Sequence, residues 1–364
     1  MANATNRLRV GLIGASPRGG WGAQSHLPAL QALPDIELAA ICTAHEETAR
    51  ASADKFGVAL AYHHHQDLLA NPDIDVVAVV VRVPVHYDIT RDVIDAGKHV
   101  YTEWPLVRTA AEAQQLVDAA KAKGVKTMVG LQRRASPPHI RLKELVAEGY
   151  VGEVLSVHFN AQGSGVLVNT SERSWRRDKR LGTNTMTVTF AHELDAVLTA
   201  VGELTQVSGL VTTQVPQWYE TDTKQYVDVT SPDNIVMEGR LMNGAVITAH
   251  VGVQPYHGNG YRLEIYGREG TLVMVPGGET AYQILGGRNE DKALQVLPIP
   301  DRLTWVPDTL TGGAFNVGQM WAKFAESIRT GKRIEPDFET GVQRHKLLEA
   351  IQRASETGQR QDLD

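Results

Sequence analysis

Residues 7–22 read RLRVGLIGASPRGGWG, and this stretch decides the fold of the first part of the chain. The apolar run at 7–13 predicts a buried strand, and glycines follow it at positions 14, 19 and 20. A glycine-rich turn that leads from a strand into a helix is typical of a dinucleotide-binding βαβ unit. A tight surface turn would carry similar glycines, but the position directly after the first strand favours a dinucleotide site.

The turn departs from the usual G-x-G-x-x-G pattern. Gly14 can act as the first glycine, Ser16 stands where the second would be, and Gly19 or Gly20 can act as the third. Backbone N–H groups at a helix start suit an anionic pyrophosphate, and Arg18 can add a charge-assisted contact. The residues predicted to bind the cofactor here are Gly14, Ala15, Ser16, Pro17, Arg18, Gly19, Gly20 and Trp21.

The end of the second predicted strand bears on the choice of cofactor. NAD-binding domains usually carry Asp or Glu there, which holds the ribose hydroxyls, whereas this chain has Thr43. An uncharged residue does not repel the 2′-phosphate of NADP, and Arg18 or His45 could contact that phosphate. Because Glu46 and Glu47 lie close by, NAD stays open, but the sequence favours NADP.

The pattern of apolar residues divides the chain in two. Strand-like and helix-like runs alternate up to about residue 130, and the run at 75–83 is apolar enough for a strand buried on both faces. This alternation predicts a doubly wound parallel sheet. After it come strand-like runs separated by turn signals such as Asn243-Gly244, which predict a largely antiparallel sheet. We therefore predict an α/β protein with a Rossmann domain at 1–130 and an α+β domain for substrate binding and oligomerisation at 131–364. The closing helices of the second domain could pack back on the first.

Composition excludes several other classes. A net charge of −6 over 364 residues argues against a nucleic-acid partner, and the single cysteine, Cys42, is compatible with a reducing compartment. No apolar run approaches the roughly 20 residues of a membrane helix, and the first residues lack the apolar region of a signal peptide, so we expect a cytoplasmic protein. His63–His65 could bind a metal, but adjacent side chains do not share a face, so we expect a solvated loop and no metal.

Further motifs follow the glycine turn in a specific order. They are Pro84 with His86, AGKHVYTEWPL at 96–106, GLQRRASP at 130–137, LVAEGYVGEV at 145–154, Trp175-Arg176 ahead of His192-Glu193-Leu194-Asp195, the segment from Tyr261 to Leu272, and PDFETGVQRHKLLEAI at 336–351. Together they resemble the glucose–fructose oxidoreductase / inositol dehydrogenase (Gfo/Idh/MocA) family. The resemblance implies a Rossmann domain, a second domain with an open sheet, a nicotinamide at their interface, and a sheet face that often makes the oligomer.

The departures from the family pattern concern catalysis. The family's E-K-P lysine, which assists proton transfer, is Trp104 here, and tryptophan has no proton that titrates near neutral pH. The aspartate four residues before the histidine is Val188, and the glycine two residues before it is Phe190. The combination of E-W-P with PDNIVMEGRLMNG at 232–244 most resembles the branch that contains the fungal galactose-gene repressor, which binds a nicotinamide dinucleotide without turnover, and bacterial relatives regarded as oxidoreductases.

The resemblance also implies further cofactor contacts. Glu103 takes the place that contacts the nicotinamide ribose, although it could simply be a charge at a helix start. Trp104 could stack on the nicotinamide or on a sugar, or it could only pack between domains. The other residues predicted to bind the cofactor are Arg82, Val83, Pro84, His86 and Arg133, of which Arg133 follows the sixth strand at the edge where ligands gather.

His192 is the strongest candidate for the catalytic acid or base, because histidine titrates nearest to physiological pH; the alternative is a buried structural histidine. Tyr101, which strand alternation puts on the same side as Glu103, and Lys179 are further candidates for proton transfer. Asp195 lies three residues after His192 and could orient its ring or bind a substrate hydroxyl. The residues predicted to bind substrate are Trp104, Trp175, Arg176, Asp195 and Tyr256.

These features predict an NAD(P)-dependent oxidoreductase that moves a hydride between the nicotinamide and a sugar, cyclitol or related polyhydroxy or carbonyl compound. One alternative is a non-catalytic sensor or regulator that binds the dinucleotide and acts through a protein partner. A second alternative is redox-assisted cleavage of a glycoside. We expect a homodimer or homotetramer, because exposed apolar sheet faces tend to be covered.

Overall fold

The computed structural model describes residues 7–277 and 282–363, so the ends of the two predicted domain ranges, residues 1–6 and 364, lie outside the described residues. The chain divides into two compact units. The first comprises Met1–Gln132 with Thr304–His345, and the second comprises Arg133–Leu303 with Lys346–Asp364.

The strands of the first unit are β1 (Leu8–Ile13), β2 (Ile36–Cys42), β3 (Leu60–Tyr62), β4 (Val76–Val79), β5 (His99–Glu103) and β6 (Thr127–Gly130). Within the described residues they form one parallel six-stranded sheet in the order β3-β2-β1-β4-β5-β6. This order reverses direction between β1 and β4, and in such sheets ligands bind outside the carboxyl ends of the strands at that point. The predicted doubly wound parallel sheet is therefore confirmed.

The helices, in chain order, are α1 (Leu27–Ala32), α2 (Glu46–Phe56), α3 (His65–Ala70), α4 (His86–Asp95), α5 (Ala110–Lys123), α6 (Pro137–Ala147), α7 (Ala191–Val201), α8 (Gly312–Thr330) and α9 (Phe338–Thr357). Gly57 and Gly124 follow α2 and α5 in the left-handed conformation, in which glycine has no steric penalty. Helix α8 belongs to the first unit, in which it packs against α1.

The strands of the second unit are β7 (Val154–Ser164), β8 (Val168–Asn169), β9 (Leu204–Thr212), β10 (Gln217–Glu220), β11 (Gln225–Asp228), β12 (Asn234–Leu241), β13 (Val246–Gln254), β14 (Gly260–Gly267), β15 (Gly270–Pro276), β16 (Tyr282–Arg288), β17 (Gln295–Leu297) and β18 (Gln361–Asp362). Within the described residues they form a nine-stranded sheet, β17-β16-β15-β14-β7-β13-β12-β9-β18, and a small sheet, β11-β10-β8. In the large sheet only the pair β7–β13 is parallel, which confirms the predicted, mostly antiparallel sheet.

The large sheet has one buried and one more exposed face, as strand alternation requires. Val157, Ile247 and Ile265 on the buried face are inaccessible to solvent. On the other face, Val236 and Val246 are 42% and 45% exposed. No helix in the described part of the chain has the length and apolar character needed to cross a membrane.

The three consecutive histidines lie between β3 and α3. His63 and His64 are exposed, while His65 begins α3 and its Nε2 lies 2.7 Å from Asp92 Oδ2. A search of residues 7–277 and 282–363 finds no group of three metal-ligating side chains.

Candidate active site

The glycine turn leaves β1 at the carboxyl edge of the parallel sheet. Gly14 has φ +108°, and a Cβ at this position would lie 2.0 Å from the carbonyl oxygen of Val80. The Gly14 N–H donates to Cys42 O at 2.9 Å, which ties the start of the turn to the end of β2. Only glycine can bring the backbone this close to both neighbouring strands.

The close packing of turn and helix depends on Gly22. A Cβ at Gly22 would lie 2.7 Å from Gly14 O, whereas one at Gly19 would meet only the Gln24 side chain at 3.6 Å and one at Gly20 would meet nothing within 4 Å. The prediction that Gly19 or Gly20 serves as the third glycine is therefore wrong with respect to packing. These two glycines instead allow the positive φ angles of the turn, +116° and +100°.

Helix α2 holds the rest of the turn in place. The Ser52 hydroxyl donates to Ala15 O at 2.6 Å, and Lys55 Nζ donates to Pro17 O at 2.8 Å. Arg18 and Trp21 are exposed, and the Arg18 backbone N–H donates to Ser16 Oγ at 3.2 Å. The turn is thus fixed through its carbonyl oxygens, and the Arg18 side chain lies at the surface.

Thr43 lies just beyond β2, where an acidic residue would bind ribose hydroxyls. Its hydroxyl lies 2.6 Å from the Thr48 hydroxyl and 3.2 Å from His45 O, while His45 itself is exposed. These hydrogen bonds hold the threonine against the start of α2.

Glu103, at the end of β5, is buried in a hydrogen-bonded network that the sequence did not reveal. His26 Nε2 lies 2.6 Å from Glu103 Oε1, and Trp321 Nε1 donates to His26 Nδ1 at 3.2 Å. Because an indole N–H can only donate, Nδ1 must accept, which leaves Nε2 to donate to the carboxylate. The chain Trp321–His26–Glu103 thus fixes the tautomer of His26 and the orientation of Glu103.

Gly130, at the end of β6, makes room for this carboxylate. A Cβ at Gly130 would lie 2.5 Å from Glu103 Oε2, so any larger residue there would displace the Glu103 side chain. Gly130, the glycine of the GLQRR segment, is therefore required because Glu103 lies beside it on the adjacent strand.

Tyr101 and Glu103 both contact His26, as strand alternation predicts. The Tyr101 ring stacks on Trp321 with centroids 5.0 Å apart and meets the His26 ring edge-on at 5.0 Å. Tyr101 is fully buried, and burial, together with the Glu103 carboxylate, raises the pKa of its phenol well above the usual range. The phenol is therefore a weak proton donor in an enclosed position.

Trp104 is also buried, with its ring 4.6 Å from that of His345 in the same unit. Burial lowers the pKa of His345 to about 3, so the histidine that packs against Trp104 is neutral near pH 7.

Among the other predicted cofactor residues, Arg82 is exposed, Val83 is buried and Pro84 is half-buried. His86 is buried, with Nδ1 2.8 Å from Pro105 O and Nε2 3.0 Å from Val81 O, an arrangement that holds the backbone after β5 against the backbone after β4.

In the second unit, His192 is half-buried in the first turn of α7. Asp195, one turn later, is completely buried and binds Arg134 through both carboxylate oxygens; Arg134 Nε donates to Oδ2 at 2.7 Å, and Nη2 donates to Oδ1. This pair fixes α7 against the turn that precedes α6.

Arg133 and Glu193 form a second ion pair beside the first, which the sequence analysis did not identify. Arg133 Nη2 lies 3.1 Å from Glu193 Oε1, and Nη1 donates to the Tyr282 hydroxyl at 2.6 Å. Glu193 is buried, and its other oxygen, Oε2, has no hydrogen-bond partner. Burial, opposed in part by Arg133, raises the pKa of Glu193 from 4.5 to about 7.

The remaining predicted residues of the second unit lie on its loops. Trp175 and Arg176 are half-buried in one short helical turn, and Lys179 is exposed in the next. Tyr256 is 72% exposed. The predicted roles of these residues in substrate binding and proton transfer stay predictions.

The raised pKa of Glu193 leads to a pH-dependent difference in stability. The folded state holds this proton more tightly than the unfolded state, so its contribution is fully present below pH 4.5 and is lost as the pH rises through about 7. Between pH 5 and pH 8 the wild type should lose about 2 kcal/mol of unfolding free energy relative to Glu193→Gln, by linkage. Urea unfolding of both proteins across this range checks the prediction, and parallel profiles would contradict it.

Comparison with known proteins identifies both parts of the chain. Residues 8–131 match the family model described as the GFO_IDH_MocA oxidoreductase family, NAD-binding Rossmann fold. The N-terminal domain is a Gfo/Idh/MocA Rossmann domain. Residues 137–275 match the C-terminal domain of Gal80p. The two matches confirm the predicted family and its galactose-repressor branch, and with them an oxidoreductase family and an NAD-binding domain.

The proteins to which this chain is similar include dehydrogenases and a regulatory protein. The dehydrogenase aclE of Aspergillus oryzae is 28% identical, with 98% of each chain covered. The galactose/lactose metabolism regulatory protein GAL80 of Saccharomyces cerevisiae is 26% identical over 66% of this chain and 59% of its own length. The levoglucosan dehydrogenase of Pseudarthrobacter phenanthrenivorans is 29% identical over 73% of each chain.

Solved structures agree with the fold. A levoglucosan dehydrogenase in complex with NADH and L-sorbose superposes with a TM-score of 0.88, covering 99% of this chain and all of that one, at 24% identity. This likeness confirms a Rossmann domain followed by a domain with a large, mostly antiparallel sheet.

Proposed function

We propose that the chain is an NAD(P)-dependent oxidoreductase that transfers a hydride between the nicotinamide and a CH–OH or C=O carbon of a sugar, cyclitol or related polyhydroxy compound. The observation that carries the proposal is the glycine turn after β1, which lies where the strand order of the parallel sheet reverses. The dehydrogenases among the relatives support the reaction class, and the levoglucosan dehydrogenase supports a sugar-like substrate.

The residues of the first unit fit a dinucleotide. The turn at Gly14–Gly22 brings the backbone close to the sheet without side chains in the way, which suits a pyrophosphate. A bound nicotinamide dinucleotide supplies the site that gives or takes the hydride. Glu103, oriented by His26, can accept a hydrogen bond from a ribose hydroxyl.

Proton transfer is assigned to His192. Trp104 stands in the place of the family lysine and has no titratable proton near neutral pH. Tyr101 is fully buried with a raised pKa, and Lys179 is exposed on a short helical turn. These placements favour His192, which is half-buried at the start of α7, as the group that takes the substrate hydroxyl proton during oxidation and returns it during reduction.

We further propose NADP as the preferred cofactor, since Thr43 offers no carboxylate and the Arg18 side chain is exposed in the glycine turn. Thr43→Asp should weaken NADPH binding relative to NADH by roughly 10- to 100-fold, because a carboxylate repels the 2′-phosphate and binds ribose hydroxyls instead. Fluorescence titration of both cofactors measures this ratio. Asp54→Asn, at an exposed acidic position on α2, is the matched control and should leave the ratio within a few-fold of the wild type. An unchanged ratio in Thr43→Asp would contradict the assignment.

The function itself is tested with purified full chain, NADP⁺ or NAD⁺, and a panel of sugars, cyclitols and polyols. Sustained formation of reduced nicotinamide with at least one compound is the expected result. Cofactor binding without turnover across the panel, in either direction, would overturn the enzymatic proposal.

A second candidate function is a dinucleotide-binding sensor or regulator that acts through a protein partner. Two observations favour it: the C-terminal domain matches that of Gal80p, and Trp104 replaces the lysine. It predicts cofactor binding and a cofactor-dependent protein partner without turnover, so sustained turnover would exclude it as the sole role.

We also propose that the chain forms a homodimer or homotetramer through the exposed face of the large sheet. Leu210, Val236 and Val246 on neighbouring strands of this sheet are 55%, 42% and 45% exposed, a patch that association would cover. Analytical ultracentrifugation of Val236→Lys against wild type tests this, since a charge in a buried interface should favour the monomer.

A further inference from the structure

Arg133 lies in a cluster of charged side chains in the second unit. Two arginines and two carboxylates lie close together there. Arg134 and Asp195 form a buried bidentate ion pair. Both Asp195 oxygens bind the same guanidinium, and the two side chains are only 9% and 1% exposed. The charge of Asp195 is therefore already matched, and the balance depends on Arg133 and Glu193.

The Arg133 side chain is oriented by its neighbours and is partly exposed. Tyr282 accepts from Nη1 at 2.6 Å, and Nη2 forms an ion pair with Glu193 Oε1 at 3.1 Å. The guanidinium lies over the Tyr282 ring at 5.7 Å from its centroid. The Arg133 side chain is nevertheless 30% exposed, whereas that of Glu193 is 4% exposed. An arginine that is oriented by one hydrogen bond and one ion pair and is partly exposed is a preorganised donor for an oxygen anion.

Apart from Arg133, the described side chains around Glu193 do little to stabilise its ionised form. Among the described residues its Oε2 has no donor, and the nearby Tyr261 hydroxyl is buried without a hydrogen-bond partner. The charged and titratable groups that influence this carboxyl are Arg133 from the turn before α6, Tyr261 from β14 and Tyr282 from β16. A pKa of about 7 means that Glu193 is only partly ionised near neutral pH, so it neutralises Arg133 only in part.

We propose that Arg133 is a specificity-determining residue that binds an anionic oxygen group, a carboxylate or a phosphate, on a sugar-like substrate. This inference rests on the proposed function, because it names the substrate class of the same protein. It also gives Arg133 a role distinct from the cofactor contact predicted from the sequence.

Anion binding at Arg133 should be coupled to proton uptake, which binding at an ordinary surface arginine would not show. An anion on Arg133 competes with the Glu193 carboxylate, so binding should favour protonated Glu193 and take up a proton. Near pH 7 this uptake should approach about half a proton per site, by linkage between ligand and proton binding. Affinity for a ligand with constant charge should fall roughly 10-fold as the pH rises from 6 to 8 and Glu193 ionises.

The experiment is isothermal titration of the full chain, loaded with NADPH, with D-glucuronate, D-glucose 6-phosphate and D-glucose. We expect at least one anionic probe to bind roughly 10-fold or more tightly than glucose, and the comparison of the two anions separates a carboxylate from a phosphate preference. Glucuronate is then titrated in buffers of different ionisation enthalpy, which gives the number of protons taken up on binding. If only the phosphate ester binds, it is used instead. Equal binding of all three probes, or no binding of either anion, would overturn the inference.

Three variants complete the test. Arg133→Gln should weaken binding of the anionic probe roughly 10- to 100-fold without changing glucose binding. Glu193→Gln should keep the binding and abolish the proton uptake, which a purely structural role for the pair would not do. Arg353→Gln, at an exposed helical position of the same unit, is the matched control and should behave as the wild type.

Thermal unfolding of each variant establishes that it is folded, and Arg133→Lys, which keeps the charge, serves if Arg133→Gln does not fold. The lysine variant should retain a preference for the anion over glucose, and its loss of that preference with the fold intact would count against a charge-based role. Failure of this inference is distinct from failure of the proposed function. Turnover of neutral polyols without any preference for anions would support the proposed function and contradict the role of Arg133. Anion binding with proton uptake but no turnover would support the role of Arg133 and contradict the proposed function.

Discussion

His192→Ala is expected to slow turnover by roughly 100- to 10,000-fold, the usual contribution of a general acid or base. The reason is that the other candidates are poorly placed: Trp104 cannot titrate near neutral pH, the Tyr101 phenol is enclosed with a raised pKa, and Lys179 is exposed on a loop. The measurement is steady-state turnover of whichever polyol or sugar the wild type oxidises, together with NADPH affinity.

The loss should be in kcat rather than in cofactor binding, because His192 lies in the second unit and the glycine turn in the first. His64→Ala is the matched control, since His64 is exposed next to α3, and it should keep wild-type kinetics. Turnover by His192→Ala within a few-fold of the wild type would show that another group moves the proton. Lys179→Ala and Tyr101→Phe would then be the variants to measure.

Gly14→Ala is expected to destabilise the first unit by roughly 3 to 5 kcal/mol, since a positive φ and a severe steric overlap both contribute. Gly14 has φ +108°, and its Cβ would lie 2.0 Å from Val80 O, a backbone atom of the adjacent strand connection that cannot rotate away. The variant should either unfold at much lower urea concentration or fold without binding the dinucleotide, because the turn would have to move away from β4.

Gly20→Ala isolates the steric part of this effect. Gly20 lies in the same turn with a similar φ of +100°, but a Cβ there would meet nothing within 4 Å. It should therefore cost only about 1 kcal/mol, the conformational penalty alone. Urea unfolding of both variants, with NADPH titration, gives the comparison. Equal destabilisation of the two would mean that the approach to Val80 is unimportant.

The sequence predicted the features that depend on local pattern. The apolar run before Gly14 and the alternation of strands and helices are each set by residues close together in the chain. The largely antiparallel sheet was also predicted, because its long strands β7, β9 and β12 to β15 each carry enough apolar residues to form a strand-like run. The short strands β3, β8, β10 and β11 were missed, since two to four residues in a polar context carry no periodicity.

The site was less predictable because its contacts join distant parts of the chain. His26 and Trp321 are 295 residues apart, and neither belongs to a motif. Gly22 was overlooked in favour of Gly19 and Gly20, although only the close approach to Gly14 O distinguishes it. The Arg133–Glu193 pair was missed for a different reason: both residues stand inside motifs, at GLQRR and beside His192, but their contact depends on how α7 packs against the turn before α6.

The contact between Gly130 and Glu103 also restricts how this protein can evolve. A side chain at position 130 would occupy the space of the Glu103 carboxylate, with a Cβ only 2.5 Å from Oε2. A mutation from Gly130 to alanine should therefore be tolerated only after Glu103 has already been replaced by a smaller residue. The reverse order passes through an intermediate in which the carboxylate is pushed off His26. The two positions are epistatic, so the order of the two mutations decides whether the path between the ancestral and derived sequences is open.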